Sequence, residues 1–225
     1  MKTSISILLS ILSLSVFSQI PENKLDTTTN YLFEAINEVR KEHGLNTLSL
    51  NIGIVNACKH HATYISVYYP TYKQSASHHE TLNDSAHLIK ALLFPSNRLV
   101  EFGVLNRWIA ENVVVTNVHR ILVLDDILDS FMKMSNINKI TDINYLIENS
   151  NNLTKSMLVE NNNWKYTDIN NLAAARLLIS NWMLSPSHRR EILSTEGKAG
   201  GAYQYLYIDV NNNPQLVGVY IVTSR

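Results

Sequence analysis

The chain has 225 residues, with 19 Lys and Arg against 19 Asp and Glu, so its formal net charge is zero. That length suits one domain with a sizeable core, and the balanced charge excludes electrostatic steering to nucleic acid or to an anionic membrane surface. A single cysteine, Cys58, excludes an internal disulfide, so the core alone must hold the fold.

Residues 1–18 read as a secretory signal. Lys2 supplies the positive start, Ile5 to Phe17 is apolar apart from serines, and Val16-Phe17-Ser18 offers a cleavage site before Gln19. The run is too short to span a bilayer comfortably and no stop-transfer charges follow it. No cysteine sits at the cleavage site to carry a lipid, and no other segment is apolar enough to cross a membrane. The expectation is a secreted protein, extracellular or periplasmic, with no transmembrane segment after cleavage. Residues 19–27 form a polar leader, and 28–225 form one domain.

The first helix is predicted from Thr28 to His43, capped by Thr28 or Thr29, with Leu32, Phe33, Ile36 and Val39 as its stripe and Gly44 as its end. A second helix runs from its cap Asn51 to about Tyr68, where Pro70 stops it. Its inner face carries Ile54, Val55, Cys58, Ala62 and Ile65. Cys58 reads there as a small buried hydrophobe. The alternative is a catalytic thiol beside His60 and His61. Those two histidines are adjacent and point apart, which suits packing or surface roles better than metal binding.

Residues 70–100 contain a loop with His78 and His79 and a short helix over Ser85 to Phe94. Asn112 to Thr116 reads as a short β segment, and residues 117–167 as an Asn-rich helical insertion. A strongly apolar helix follows, capped by Asp168 and ended by Ser185-Pro186. Ala202 to Val210 and Gln215 to Thr223 form a terminal hairpin, on which Tyr203, Tyr205 and Tyr207 make a structural face. The order predicts a three-layer α/β/α arrangement or an α+β domain, with a small antiparallel sheet.

Chemistry gathers at three places. His188 follows the Ser185-Pro186 turn, His78 and His79 stand far upstream, and Glu111 lies in Ala110-Glu111-Asn112. Brought together by the fold, they put one or two imidazoles and a carboxylate on one cleft, a donor set for Zn²⁺ or for acid/base work. Glu111 can orient or deprotonate a bound water; equally, it can accept backbone N–H groups and organise the cleft wall. His188 has the alternative of capping a helix end. Arg189 reads as a surface or ion-pair residue. Ser185 and Ser187 lack the strand-turn-helix elbow of a serine nucleophile.

In this order the motifs resemble those of the CAP superfamily: the cysteine-rich secretory, antigen and pathogenesis-related proteins with an SCP domain, in their bacterial secreted form. Asn37-Glu-Val-Arg40 with Gly44 and Leu48-Ser-Leu50 resembles the opening helix and turn. Ala57 with His61-Ala62 resembles the second helix, and Ser77-His78-His79 stands where the first site histidine is found. Ala110-Glu111-Asn112-Val113 resembles Gly-Glu-Asn-Ile, and Trp182-Met-Leu-Ser-Pro-Ser-His188-Arg189 the last motif, before Gly200-Gly201 and the hairpin. The resemblance covers residues 28–116 and 168–225. It implies an α-β-α sandwich with a cleft between layers, holding His78 or His79, Glu111 and His188, with His188 and one of His78 and His79 as zinc ligands.

The departures are Ala110 in place of glycine, the 117–167 insertion, and Ser185 where animal members carry a second glutamate. That last change leaves a triad. The favoured expectation is a binding or interaction module for a small apolar ligand, a peptide, a cell-envelope component or a metal, with no nucleic-acid partner. The runner-up is a metal-dependent hydrolase of peptide or cell-envelope material with Glu111 as its catalytic group. A purely structural role is the third.

Overall fold

The computed structural model describes residues 20–25, 30–72, 78–81, 89–105, 108–117, 171–209 and 214–224. The signal at 1–18 and residues 118–167 of the insertion lie outside them, as does Asp168. Helix α1 spans Tyr31–Glu42, strand β1 Ser49–Leu50, α2 Ile52–Tyr72, α3 Pro95–Glu101 and β2 Ile109–Asn117. After the insertion come α4 (Asn171–Leu184), α5 (Pro186–Ile192), β3 (Ala199–Ile208) and β4 (Pro214–Thr223).

The sheet order is β1-β3-β4-β2. The hairpin β3–β4 and the pair β2–β4 are antiparallel, and among the described strands only the two-residue β1 runs parallel, to β3. Strand β4 is central, and helices cover both of its faces. Leu216, Tyr220 and Val222 meet α1 and α4 through Ile36, Leu178 and Trp182. Val217, Val219 and Ile221 meet α2 and α3 through Ile54, Cys58 and Leu99. A strand covered on both sides reads as a continuous apolar run, as this one does. The architecture is the expected α+β, α-β-α sandwich.

Local chemistry sets the element ends. Asn30, rather than Thr28 or Thr29, caps α1: its Oδ1 accepts from Phe33 N at 3.2 Å and its Nδ2 donates to Ala202 O at 2.8 Å, docking the helix on β3. Gly44, at φ +71°, closes the helix as Gly44 N donates to Lys41 O and Leu45 N to Arg40 O. Asn51 caps α2 through Ile54 N, as expected.

Two prolines act differently from the sequence expectation. Helix α2 continues past Pro70 to Tyr72, and the proline stands in its last turn, where few helical bonds remain to be made. Residues 89–94 are not helical. Phe94 is extended, at φ −121° and ψ 162°, and Pro95 begins α3 at its first turn. Proline thus starts a helix where a helix was expected to have just ended.

The opening motif is a clamp. Asn37 grips Leu48 from both sides, with its Nδ2 donating to Leu48 O at 3.2 Å and its Oδ1 accepting from Leu48 N at 2.8 Å. Arg40, 2% exposed, donates to Asn46 O, Ile192 O and Ser194 O. It therefore ties α1 to the end of α5. The leader is also used. Asn23 bonds to Gln204 O and Leu206 N, Lys24 N donates to Leu206 O, and Leu25 joins the core. This covers part of the β3 edge that the short β1 leaves unpaired.

Glycines separate conformational from steric demand. A methyl group at Gly201 would lie 2.6 Å from Val55 N and 3.0 Å from Ile54 C, backbone atoms of α2. At Gly44 it would meet nothing within 4 Å. Gly44→Ala is therefore expected to lose only the left-handed preference, about 1 kcal/mol. Gly201→Ala must push α2 off the sheet and is expected to lose about 2–3 kcal/mol. Denaturant midpoints of the two variants check this order.

Candidate functional site

Strand alternation builds the site. On β2, Glu111 and Asn112 point to opposite faces. Glu111 shares a face with Val113, toward α2 and α3. Asn112 faces α4 and α5, where its Nδ2 donates to the His188 carbonyl at 3.0 Å. Pro186 begins α5, so His188 stands in the first turn of a short helix rather than on a free turn. Asn112 therefore fixes the height of that helix against the sheet, and Glu111 meets the loop on the other side.

His78 and His188 line one cleft of about 320 Å³ together with Glu111, Asn112, Ser187 and Glu191, with Trp108 at its wall. His78 donates from Nδ1 to Glu111 Oε2 at 2.7 Å. His79 goes elsewhere: its ring meets Phe94 edge-on at 4.8 Å. Burial, with the neighbouring His78 adding to it, holds the His188 pKa below the usual histidine value, against the pull of Glu191. The neutral form of the His188 ring is thereby favoured. Among the described residues, no group of three or more His, Cys, Asp and Glu side chains gathers as a metal shell.

Behind Glu111 lies a buried polar network. Arg98, whose side chain is 0% exposed, donates from Nη2 to Glu111 Oε1 at 2.6 Å and from Nη1 to Glu80 Oε1 at 3.2 Å. Glu80, also 0% exposed, accepts from His61 Nδ1 at 2.7 Å, from His60 Nε2 at 3.1 Å and from Leu92 N at 2.7 Å. Burial raises the Glu80 pKa, but the hydrogen bonds from His60 and His61 and the charges of His61 and Arg98 outweigh it and hold the carboxyl at about 2. Glu111 is likewise held below its ordinary range. Burial opposes this, while His61, His78 and Arg98 favour the anion.

Four of these residues, His60, His61, Glu80 and Arg98, were given no place in the site by the sequence alone. His60 and His61 are adjacent on α2, yet each reaches a different oxygen of Glu80. Glu80 stood in view beside the histidine pair without a partner to give it meaning. Arg98 carried no signal, since a seven-residue helix is too short for periodicity to mark a charged residue on its buried face.

Cys58 is buried, its thiol donates to Gly201 O at 3.3 Å, and burial pushes its pKa well up, so it is not a nucleophile. Arg189 is exposed. Tyr205 and Tyr207 are buried in the core on the α2 side, with successive tyrosine rings 6.3 and 6.2 Å apart. Ser185 and Ser187 face one another at 3.2 Å between hydroxyl oxygens.

The network has a pH signature. The Glu80 carboxyl is depressed from 4.5 to about 2 in the folded chain, so its contribution is complete above pH 4.5 and is lost as pH falls toward 2. The contribution amounts to about 3 kcal/mol. Glu80→Gln is expected to be less stable at pH 7 and to show a shallower loss of stability between pH 4.5 and 2. Glu111, shifted the same way, keeps part of that slope. Unfolding curves across pH 2–7 measure both effects.

No family model matches the chain, and no curated protein matches it. Solved structures similar to it include the following three. One is an outer surface protein from Borrelia burgdorferi, at TM-score 0.47 and 13% identity over 90% of this chain and 98% of that one. The second is an extracellular protein containing a SCP domain from Bacillus anthracis, at TM-score 0.44 and 12% identity over 86% of this chain and 39% of that one. The third is a cysteine-rich secretory protein from Staphylococcus aureus, at TM-score 0.40 and 15% identity over 86% of this chain and 37% of that one. This chain spans well under half the length of the last two. Among the described residues, no helix is long and apolar enough to cross a membrane.

Proposed function

We propose that this chain is a secreted CAP/SCP-like binding module whose cleft takes a divalent metal such as Zn²⁺ through His78 and His188. The observation that carries this reading is the His78–Glu111 pair at 2.7 Å, with His188 lining the same cleft. A carboxylate on one ring nitrogen is the usual partner of a histidine that binds metal through the other. Burial favours the neutral form of His188, the form a ligand needs. With two imidazoles and water completing the shell, the site is weaker than a closed four-ligand zinc site and leaves positions open.

The lining favours a polar occupant. His78, Glu111, Asn112, Ser187, His188 and Glu191 dominate it, which suits a metal with a peptide or cell-envelope group better than a small apolar ligand. Glu111 suits a fixed carboxylate better than a general base. Both of its oxygens are engaged and its pKa lies below the ordinary value, whereas a base works best near the operating pH. The signal-like N-terminus and the ordered motifs support secretion and the family resemblance. The fully engaged Glu111 carboxylate supports reading the site as one that binds without turnover.

Zinc titration against a chromophoric chelator tests the reading. The wild type is expected to bind one zinc per chain, and His78→Ala and His188→Ala to bind at least about tenfold more weakly. Binding is expected to weaken in acid as protons compete with the metal for its ligands. Wild type and both variants with the same affinity, or none, would sink the metal site. Turnover of a peptide or glycan panel that Glu111→Gln abolishes would replace the binding reading with the hydrolytic one.

A further inference from the structure

His78 is gripped twice by a single buried guanidinium. Arg98 Nη2 donates to Glu111 Oε1 at 2.6 Å, and Glu111 Oε2 accepts from the His78 ring at 2.7 Å. The same side chain reaches the His78 backbone carbonyl, from Nη2 at 3.3 Å and from Nη1 at 3.4 Å. Arg98 therefore holds the residue at its main chain and, through Glu111, at its ring. Arg98 is itself over-determined. Nη1 also donates to Leu92 O at 3.2 Å and to Glu80 Oε1 at 3.2 Å. Glu80 N donates to Leu93 O at 3.1 Å, so the histidine loop and the approach to α3 close on each other around the guanidinium.

An ionised carboxylate only accepts hydrogen bonds. The His78 nitrogen facing Glu111 must therefore carry the proton, so in the neutral form of the ring Nε2 is the bare lone pair. This is the reverse of the tautomer that free histidine favours in water. Glu111 can impose it only while its own orientation is fixed, and the planar fork of an arginine fixes a carboxylate in a way that a lysine point charge does not.

We infer that Arg98 is a positioning residue for the cleft: by fixing Glu111 and the His78 carbonyl together, it locks His78 in the Nδ1–H tautomer and presents Nε2 to a bound divalent metal. The metal half of this inference rests on the binding reading above; the tautomer half does not. Glu80, held by His60 and His61, is the support that keeps Arg98 in place. The network thus extends from the buried face of α2 to the cleft through five side chains of His61, Glu80, Arg98, Glu111 and His78.

Imidazole nitrogen NMR of the full metal-free chain at pH 7, with the His78 signals assigned by their loss in His78→Ala, reads the tautomer directly. The wild type is expected to show His78 as Nδ1–H. Arg98→Lys keeps the charge and loses the fork. It is expected to move His78 toward Nε2–H and to weaken zinc binding by about 10–100-fold, with cooperative melting retained. If that variant does not fold, Glu80→Gln frees Arg98 more gently and is expected to shift His78 the same way. A wild-type His78 in the Nε2–H form overturns the inference without any variant. So does a folded Arg98→Lys whose His78 remains Nδ1–H. A tautomer shift in a chain that binds no zinc would uphold the positioning role and sink only the metal reading.

Discussion

A sheet covered by helices on both faces must send alternate residues of every strand into different layers, and the cleft is built from that obligation. Strand β2 pairs with β4 along its whole length, so the facing of each β2 residue follows the apolar register of the centre of the sheet. A slip of one residue would turn Glu111 toward α4 and Asn112 toward Arg98. With the register as it is, two neighbouring residues reach opposite layers. One anchors His78 through its ring, and the other holds α5 by the carbonyl of His188. Two elements distant in sequence are thereby brought to a common cleft by one dipeptide.

The buried network is a poor way to gain stability. Removing Arg98, Glu80 and Glu111 from water carries a desolvation penalty that their mutual attraction only partly returns, and apolar replacements of similar shape can be as stable. What the network supplies is orientation. Every oxygen of both carboxylates has a partner, and the guanidinium binds backbone carbonyls as well as carboxylates. Such an arrangement resists rotation at each link. Removing a single member leaves a buried charge uncompensated, which is why its pieces are tightly coupled.

The opposite layer shows the same economy with less charge. Asn37 and Arg40 lie one turn apart on α1, and each satisfies backbone groups of irregular segments: Leu48 for one, Asn46, Ile192 and Ser194 for the other. These segments have no ladder partners of their own at those positions, so side chains supply the missing bonds. The end of α5 is thus fixed from α1 while its start is fixed from β2. His188 sits on a helix of only seven residues that is restrained at both ends.

Much of the fold was legible because it depends on local pattern. The stripe of α1, the Asn51 cap, the apolar run of β4 and the order of the motifs follow from periodicity, capping chemistry and spacing along the chain. The ends of elements were less legible where proline stood, since Pro70 and Pro95 have meaning only relative to the hydrogen bonds that neighbouring residues have already made. Among the site residues, His188 and Glu111 announced themselves by motif, and the choice between His78 and His79 stayed open because adjacent loop residues have no periodicity to separate them. Tertiary structure decided that choice by offering Glu111 to one ring and Phe94 to the other. It alone introduced Arg98, Glu80 and His61, because a buried charge is specified by partners from other elements. Sequence determines which groups must find partners; only the packed layers determine which partners are within reach.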